Sequence, residues 1–121
     1  MHEMSIMSSL FRIIKEHAID RGARRILSVS VVLGAFSGVD PDLLRSAFGV
    51  FSENSIADGA QFHIRTRPLM IKCAHCGDVE IELSDLGQSC PKCGGSAIDL
   101  PLNDELLIEN MEIELDPERE T

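Results

Sequence analysis

Four cysteines stand in two copies of one spacing, Cys73-x-x-Cys76 and Cys90-x-x-Cys93, each followed by glycine, with thirteen residues between the copies. Two thiolates three positions apart can turn toward one ion, and glycine permits the tight positive-φ exit from such a turn. Two clips brought together make a tetrahedral four-sulfur site. Zn²⁺ is its usual occupant and structure its usual purpose, because no coordination position is left open for reaction. Iron fits the same donors, so the spacing leaves zinc against iron open. Disulfides or a redox pair are poorer readings, since one metal site accounts for both clips. His75 lies inside the first clip and reads as a solvent-facing spacer.

The second chemical stretch is Met1-His2-Glu3. A free α-amine titrates at about 7.7–8.0 and is partly unprotonated near neutrality. It is linked to the His2 amide nitrogen through a five-membered chelate ring, and that amide to His2 Nδ1 through a six-membered one. A fourth donor is available from the Glu3 amide, the Glu3 carboxylate, water or a distant side chain. Nitrogen donors in one plane suit Ni(II) or Cu(II) better than Zn(II). Taken alone, His2 reads more simply as an exposed polar residue, since one histidine supplies one conventional ligand.

The elements that must position these residues are legible in outline. Met7, Leu10, Phe11, Ile14 and Ala18 form one stripe of a helix over residues 4–21, with Gly22 as its C′ residue. The β-branched run Ile26–Leu33 reads as a buried strand, and Gly34–Gly38 as a loop. Asp40 fits an N-cap and Pro41 the first helical position of a second helix, whose apolar stripe is Leu44, Ala47, Phe48 and Phe51. After the Asp58-Gly59 turn, Phe62, Ile64 and Thr66 alternate with His63, Arg65 and Arg67 as in a half-exposed strand. Short strands and glycine-rich turns surround the cysteines. Alternation then resumes, with Leu107, Met111, Ile113 and Leu115 on one side. His17 reads as a hydrogen-bonded flank of the first helix and His63 as exposed.

The expected fold is therefore α+β: a small three-stranded sheet with two helices and an inserted Cys₄ domain. Residues 1–69 form the first domain, completed by a strand at 104–115. Residues 70–103 are the insertion, and 116–121 a loose tail.

Charge narrows the function. The chain of 121 residues has a net charge of −9. Residues 1–72 carry nine Lys/Arg against seven Asp/Glu, whereas residues 73–121 carry two against thirteen, a net of −11. With no Trp and no Tyr, the cysteine half is a poor surface for phosphates or stacked bases. This weighs against a zinc-ribbon adaptor for nucleic acid or a transcription complex, the main alternative from another functional class. No apolar run approaches the roughly 18 residues of a membrane span. The start lacks the basic stretch and cleavage site of a signal peptide, which makes the cytoplasm the expected location. Strand edges leave monomer and homodimer both open.

MHExS at the start, LxxxxxxHA, GAFSxVDP, LxxAF and C-x₂-C-x₁₃-C-x₂-C, in that order, together resemble the HypA family of nickel-insertion accessory proteins for [NiFe] hydrogenases. The resemblance implies a nickel-binding α/β domain with a zinc-ribbon-like domain inserted before its last strand. It further implies that Ni(II) is a transient cargo bound at Met1, His2 and Glu3, with Asp40 near the nickel. Zn(II) would be structural, held by Cys73, Cys76, Cys90 and Cys93. The implied partners are a HypB-type GTPase, the hydrogenase large subunit and, in some organisms, urease accessory proteins. No enzymatic turnover is expected.

Overall fold

A computed structural model describes residues 2–96, 98–99 and 106–117. Helix α1 (Glu3–Asp20) leads into β1 (Ala23–Leu33), α2 (Pro41–Ser52) and β2 (Gln61–Thr66). Three short strands follow, β3 (Met70–Cys73), β4 (Gly77–Glu80) and β5 (Ile98–Asp99), and β6 (Leu106–Leu115) closes the order. The strands form two sheets, β2-β1-β6 and β4-β3-β5. The class is α+β, with the expected two helices and three-stranded sheet.

The chain divides into two compact units. One comprises Met1–Val31, Val39–Arg65 and Leu107–Thr121, and the other Val32–Gly38 and Thr66–Leu106. Within the second, the Arg67 N–H donates to the Leu33 carbonyl at 2.7 Å, tying the loop after β1 to the residues before β3.

In the first unit, the stripe read from α1 is the buried one: Met7, Leu10, Phe11, Ile14 and Ala18. From α2, Leu44, Ala47 and Phe48 are buried, while Phe51 is half-buried. The helices meet through Phe11, whose ring lies 5.9 Å edge-on from Phe48. Phe48 in turn stacks on Phe62 of β2 at 4.4 Å. Such pairs add about 0.5–1.5 kcal/mol beyond their area, useful in a core without Trp or Tyr. Gly22 has φ +76, the left-handed stop expected after α1.

Three boundaries differ from expectation. α1 begins one residue earlier, at Glu3, and Arg21 is its C-cap. β1 begins at Ala23 rather than Ile26; its polar start is retained because Arg24 pairs with Glu114 and the Asp116 N–H bonds the Gly22 carbonyl. β6 starts at Leu106, the expected residues 104–105 lying outside the described ones.

The sidedness of β6 also needs correction. Leu107 and Leu115 are exposed, at 50% and 40%. The half-buried side runs Leu106, Ile108 and then Met111, Ile113. The alternation slips by one residue between Ile108 and Met111, as it does where a strand takes in one extra residue. Thr66, expected to share a face with Phe62 and Ile64, is exposed at the strand's end. Of the expected loose tail, 118–121 lie outside the described residues.

The second unit has its own core of Leu69, Ile71, Cys73, Val79, Ile81 and Cys90, with Leu86 and Ile98 against it. β3 is central, antiparallel to β4 through Ile71 opposite Val79 and to β5 through Cys73 opposite Ile98. Two of its six core residues are cysteines, so the cysteine clips and the packing are one structure.

Candidate metal sites

The four sulfurs converge. Cys73, Cys76, Cys90 and Cys93 place their Sγ atoms within 4.8 Å of one another, and Cys73 and Cys93 stand at 3.6 Å. With Zn–S bonds of about 2.3 Å, the edge of a tetrahedron is about 3.8 Å. The donor set therefore fits a tetrahedral divalent ion.

The clips are built by hairpin geometry. Cys73 ends β3 opposite Gly77, which opens β4 with φ +77. Gly94 has φ +74, and its N–H donates to the Cys90 carbonyl at 2.8 Å, while the Cys90 N–H donates to the Gly95 carbonyl at 2.9 Å. The Gly95 N–H lies 3.4 Å from Cys93 Sγ.

Electrostatics favour one thiolate and resist the next. Backbone N–H groups of Cys76 and then His75 pull Cys73 from 9.0 to about 6. Cys76 is pushed up to about 12, first by the Cys93 side chain. Four sulfurs this close cannot all ionise without a cation among them, which is the charge a metal ion supplies. His75 is exposed.

At the other site, His2 is the N-cap position of α1 and makes no side-chain cap bond; its carbonyl accepts from the Ile6 N–H at 3.0 Å. The imidazole is exposed, and the His2 and Glu3 amides precede the first helical donor. Glu3 is buried, and its Oε2 accepts the backbone N–H of Asp40 at 3.0 Å. That N–H is the foremost cause holding the Glu3 carboxyl at about 2, far below its usual 4.5. Asp40 also caps α2, its Oδ1 accepting from the Asp42 N–H at 2.9 Å and the Leu43 N–H at 3.3 Å. The capping read from the sequence is therefore present. The structure brings His2, Glu3 and Asp40 to one place, while Met1 lies outside the described residues.

The resemblance places Asp40 near the nickel segment, but no local signal in the sequence announces the Glu3–Asp40 bond itself. His17 Nδ1 accepts from Arg21 Nη1 at 3.3 Å, consistent with a hydrogen-bonded flank, and His63 is exposed.

Comparison with known proteins decides the family. Residues 1–113 match the model of a family described as hydrogenase/urease nickel incorporation, metallochaperone, hypA. The chain belongs to the HypA family.

The hydrogenase maturation factor HypA of Aquifex aeolicus is 35% identical over 96% of this chain and all of the relative. That of Shewanella baltica is 36% identical over 96% of this chain and 98% of its own. The solution structure of the Ni metallochaperone HypA from Helicobacter pylori superposes with a TM-score of 0.67 at 29% identity, covering 96% of this chain and all of that one. A second HypA solution structure gives 0.70 at 30% identity. A HypA-family role is that of a carrier in hydrogenase maturation and not of a catalyst. Among the described residues, no helix is long and apolar enough to cross a membrane.

Proposed function

We propose that this chain is a nickel metallochaperone that takes Ni(II) at its Met1-His2-Glu3 segment and delivers it to the [NiFe] hydrogenase large subunit. The family match over residues 1–113 carries the reading. The start of α1 supports it, since His2 keeps its imidazole out of helix capping. The nickel donors are the Met1 amine, the His2 amide and imidazole, and Glu3. Asp40 braces Glu3 through its backbone N–H and stands beside these donors as their support.

A planar nitrogen set selects Ni(II) over Zn(II). Because the His2 imidazole is exposed, protonation of the amine and ligand exchange release the ion. Cys73, Cys76, Cys90 and Cys93 hold Zn(II), which fixes the 70–103 region as a platform for partners. The sequence contains no P-loop, so nucleotide hydrolysis belongs to a HypB-type GTPase partner; urease accessory proteins are the other candidate recipients. The work takes place in the cytoplasm, with no part for nucleic acid.

The test is calorimetric titration with NiCl₂ of a preparation beginning at Met1 and of one extended by two residues ahead of it. The extension removes the primary amine's chelate ring and is expected to abolish nickel binding with zinc content unchanged. Equal affinities would refute the amine as a ligand.

A further inference from the structure

Between the last turns of α1 and the middle of β6 lies a groove of about 440 Å³. Its apolar lining comes from Ala18, Ile108, Met111 and Ile113, and its polar end from His17 and Arg21. It adjoins a sheet edge: β6 pairs with β1 on one side and is last in the order β2-β1-β6. A ten-residue strand with one side unpaired among the described residues offers a row of backbone donors and acceptors to a further strand.

The chemistry at the polar end specifies a charge. Arg21 Nη1 is shared with the His17 ring and carbonyl, both at 3.3 Å. Its Nε and Nη2 donate to no described residue. That edge of a guanidinium is the one that takes a carboxylate two-pronged, and Arg65 uses it so on Glu109, with both bonds at 3.3 Å. Glu109 also lines the groove, but it is engaged by Arg65. Glu112 and Glu114 are likewise occupied, by Ser28 and Arg24. Among the described residues, the groove thus has an anion-binding edge and no unengaged carboxylate of its own.

We propose that β6 accepts an extended segment of a partner protein as an added strand, and that this segment carries an apolar residue and, two positions on, a carboxylate. Side chains two apart share one face of a strand. The apolar one enters between Ile108, Met111 and Ala18 while the acid meets Arg21. A second copy fits poorly. Its β6 would set Glu109, Glu112 and Glu114 against their like, and its other edge strand, Gln61–Thr66, contains no acid. The proposal is independent of the metal sites.

The test uses the full chain, zinc-loaded, with the peptide acetyl-TVTLTETV-amide in a ¹H–¹⁵N NMR titration. Resonances of Leu106–Leu115 and Arg21 are expected to shift. Replacing the peptide's Glu by Lys should weaken binding about tenfold or more, the worth of one charge-assisted pair. Methylating alternate peptide amides should weaken it comparably by blocking the strand ladder. Arg21→Gln should erase the preference for the acidic peptide, and Arg21→Glu should reverse it. The proposal is overturned if β6 resonances stay still at millimolar peptide, or if the Lys or methylated peptides bind equally. It is also overturned if β6 shifts with protein concentration alone, which would assign the edge to a second copy.

Discussion

The Glu3 carboxylate and the Asp40 backbone N–H, 37 residues apart in the chain, meet at 3.0 Å. Asp40 at the same time caps α2 through its Oδ1. One residue thereby fixes the starts of both helices, and the segment proposed to carry nickel is anchored to a helix it does not belong to. Frayed chain ends ordinarily hold nothing; this one is fastened at its third residue.

Removing the anchor should loosen the cargo site without dissolving the fold. Glu3→Ala strips the acceptor from the Asp40 N–H, and supporting groups of this kind are worth roughly 10–100-fold in metal affinity. Asp40→Asn keeps both the backbone donor and a good N-cap, so it should retain α2 and most nickel affinity. Calorimetry with NiCl₂ beside far-ultraviolet circular dichroism separates the two. If Asp40→Asn loses nickel as completely as Glu3→Ala, then the Asp40 carboxylate is a ligand and more than a brace.

The same contact sets a pH dependence. Glu3 is held at about 2 against an ordinary 4.5, chiefly by the Asp40 N–H. A depressed folded-state value means that the unfolded chain takes up the proton first. The contribution is fully present above about 4.5 and is lost as the pH falls toward 2. The ¹³C resonance of the Glu3 carboxyl should therefore titrate near 2. A midpoint near 4.5 would show that the bond does not persist in solution.

What could be read beforehand follows the range of the interactions. The stripe from Met7 to Ala18, the stop at Gly22 and the cap at Asp40 depend on neighbours within a turn or two, and those neighbours are written side by side. The cysteine clips announce themselves because each fixes its own local geometry. The Glu3–Asp40 bond had no such signature, since it exists only once the two helix starts have docked. The face of β6 was misread for a related reason. Perfect alternation groups Leu107 with Met111, but the strand slips between Ile108 and Met111, and Leu107 turns to solvent. The free edge of Arg21 was hidden too, because it depends on Glu109 being claimed by Arg65 from another strand.

Cys76→Ser should leave a three-sulfur site and unfold the second unit locally. A structural four-thiolate zinc contributes apparent binding free energy of about 10–16 kcal/mol in small peptides, and here two of the sulfurs also belong to a small core. Amide protection at Ile71, Cys73 and Val79 should disappear, while Met7, Ile14 and Leu44 keep theirs. Retention of zinc at one equivalent with unchanged exchange rates would contradict the structural role.

Core packing gives a contrast between two residues on one helix. Phe48 is 3% exposed, edge-on to Phe11 and stacked on Phe62; its truncation to alanine should cost about 3–5 kcal/mol. Val50 is 61% exposed, and Val50→Ala should fall within about 0.5 kcal/mol of the parent. Urea melts followed by a first-unit probe measure both, and comparable losses would mean that α2 presents a different face to the core.

Gly77 separates backbone strain from crowding at the metal clip. It has φ +77, and a Cβ added there would meet nothing within 4 Å. Gly77→Ala therefore changes only the cost of the left-handed conformation, about 1–2 kcal/mol. Because Gly77 pairs with Cys73 across the hairpin, that strain falls on the clip itself. Zinc affinity, measured by competition with a chromophoric chelator, should drop about tenfold, as a penalty of about 1.4 kcal/mol requires. Nickel binding at the other end of the chain should not change. An unchanged zinc affinity would show that the turn relaxes to negative φ without disturbing the sulfurs, and that the glycine's place after the clip is not set by conformation.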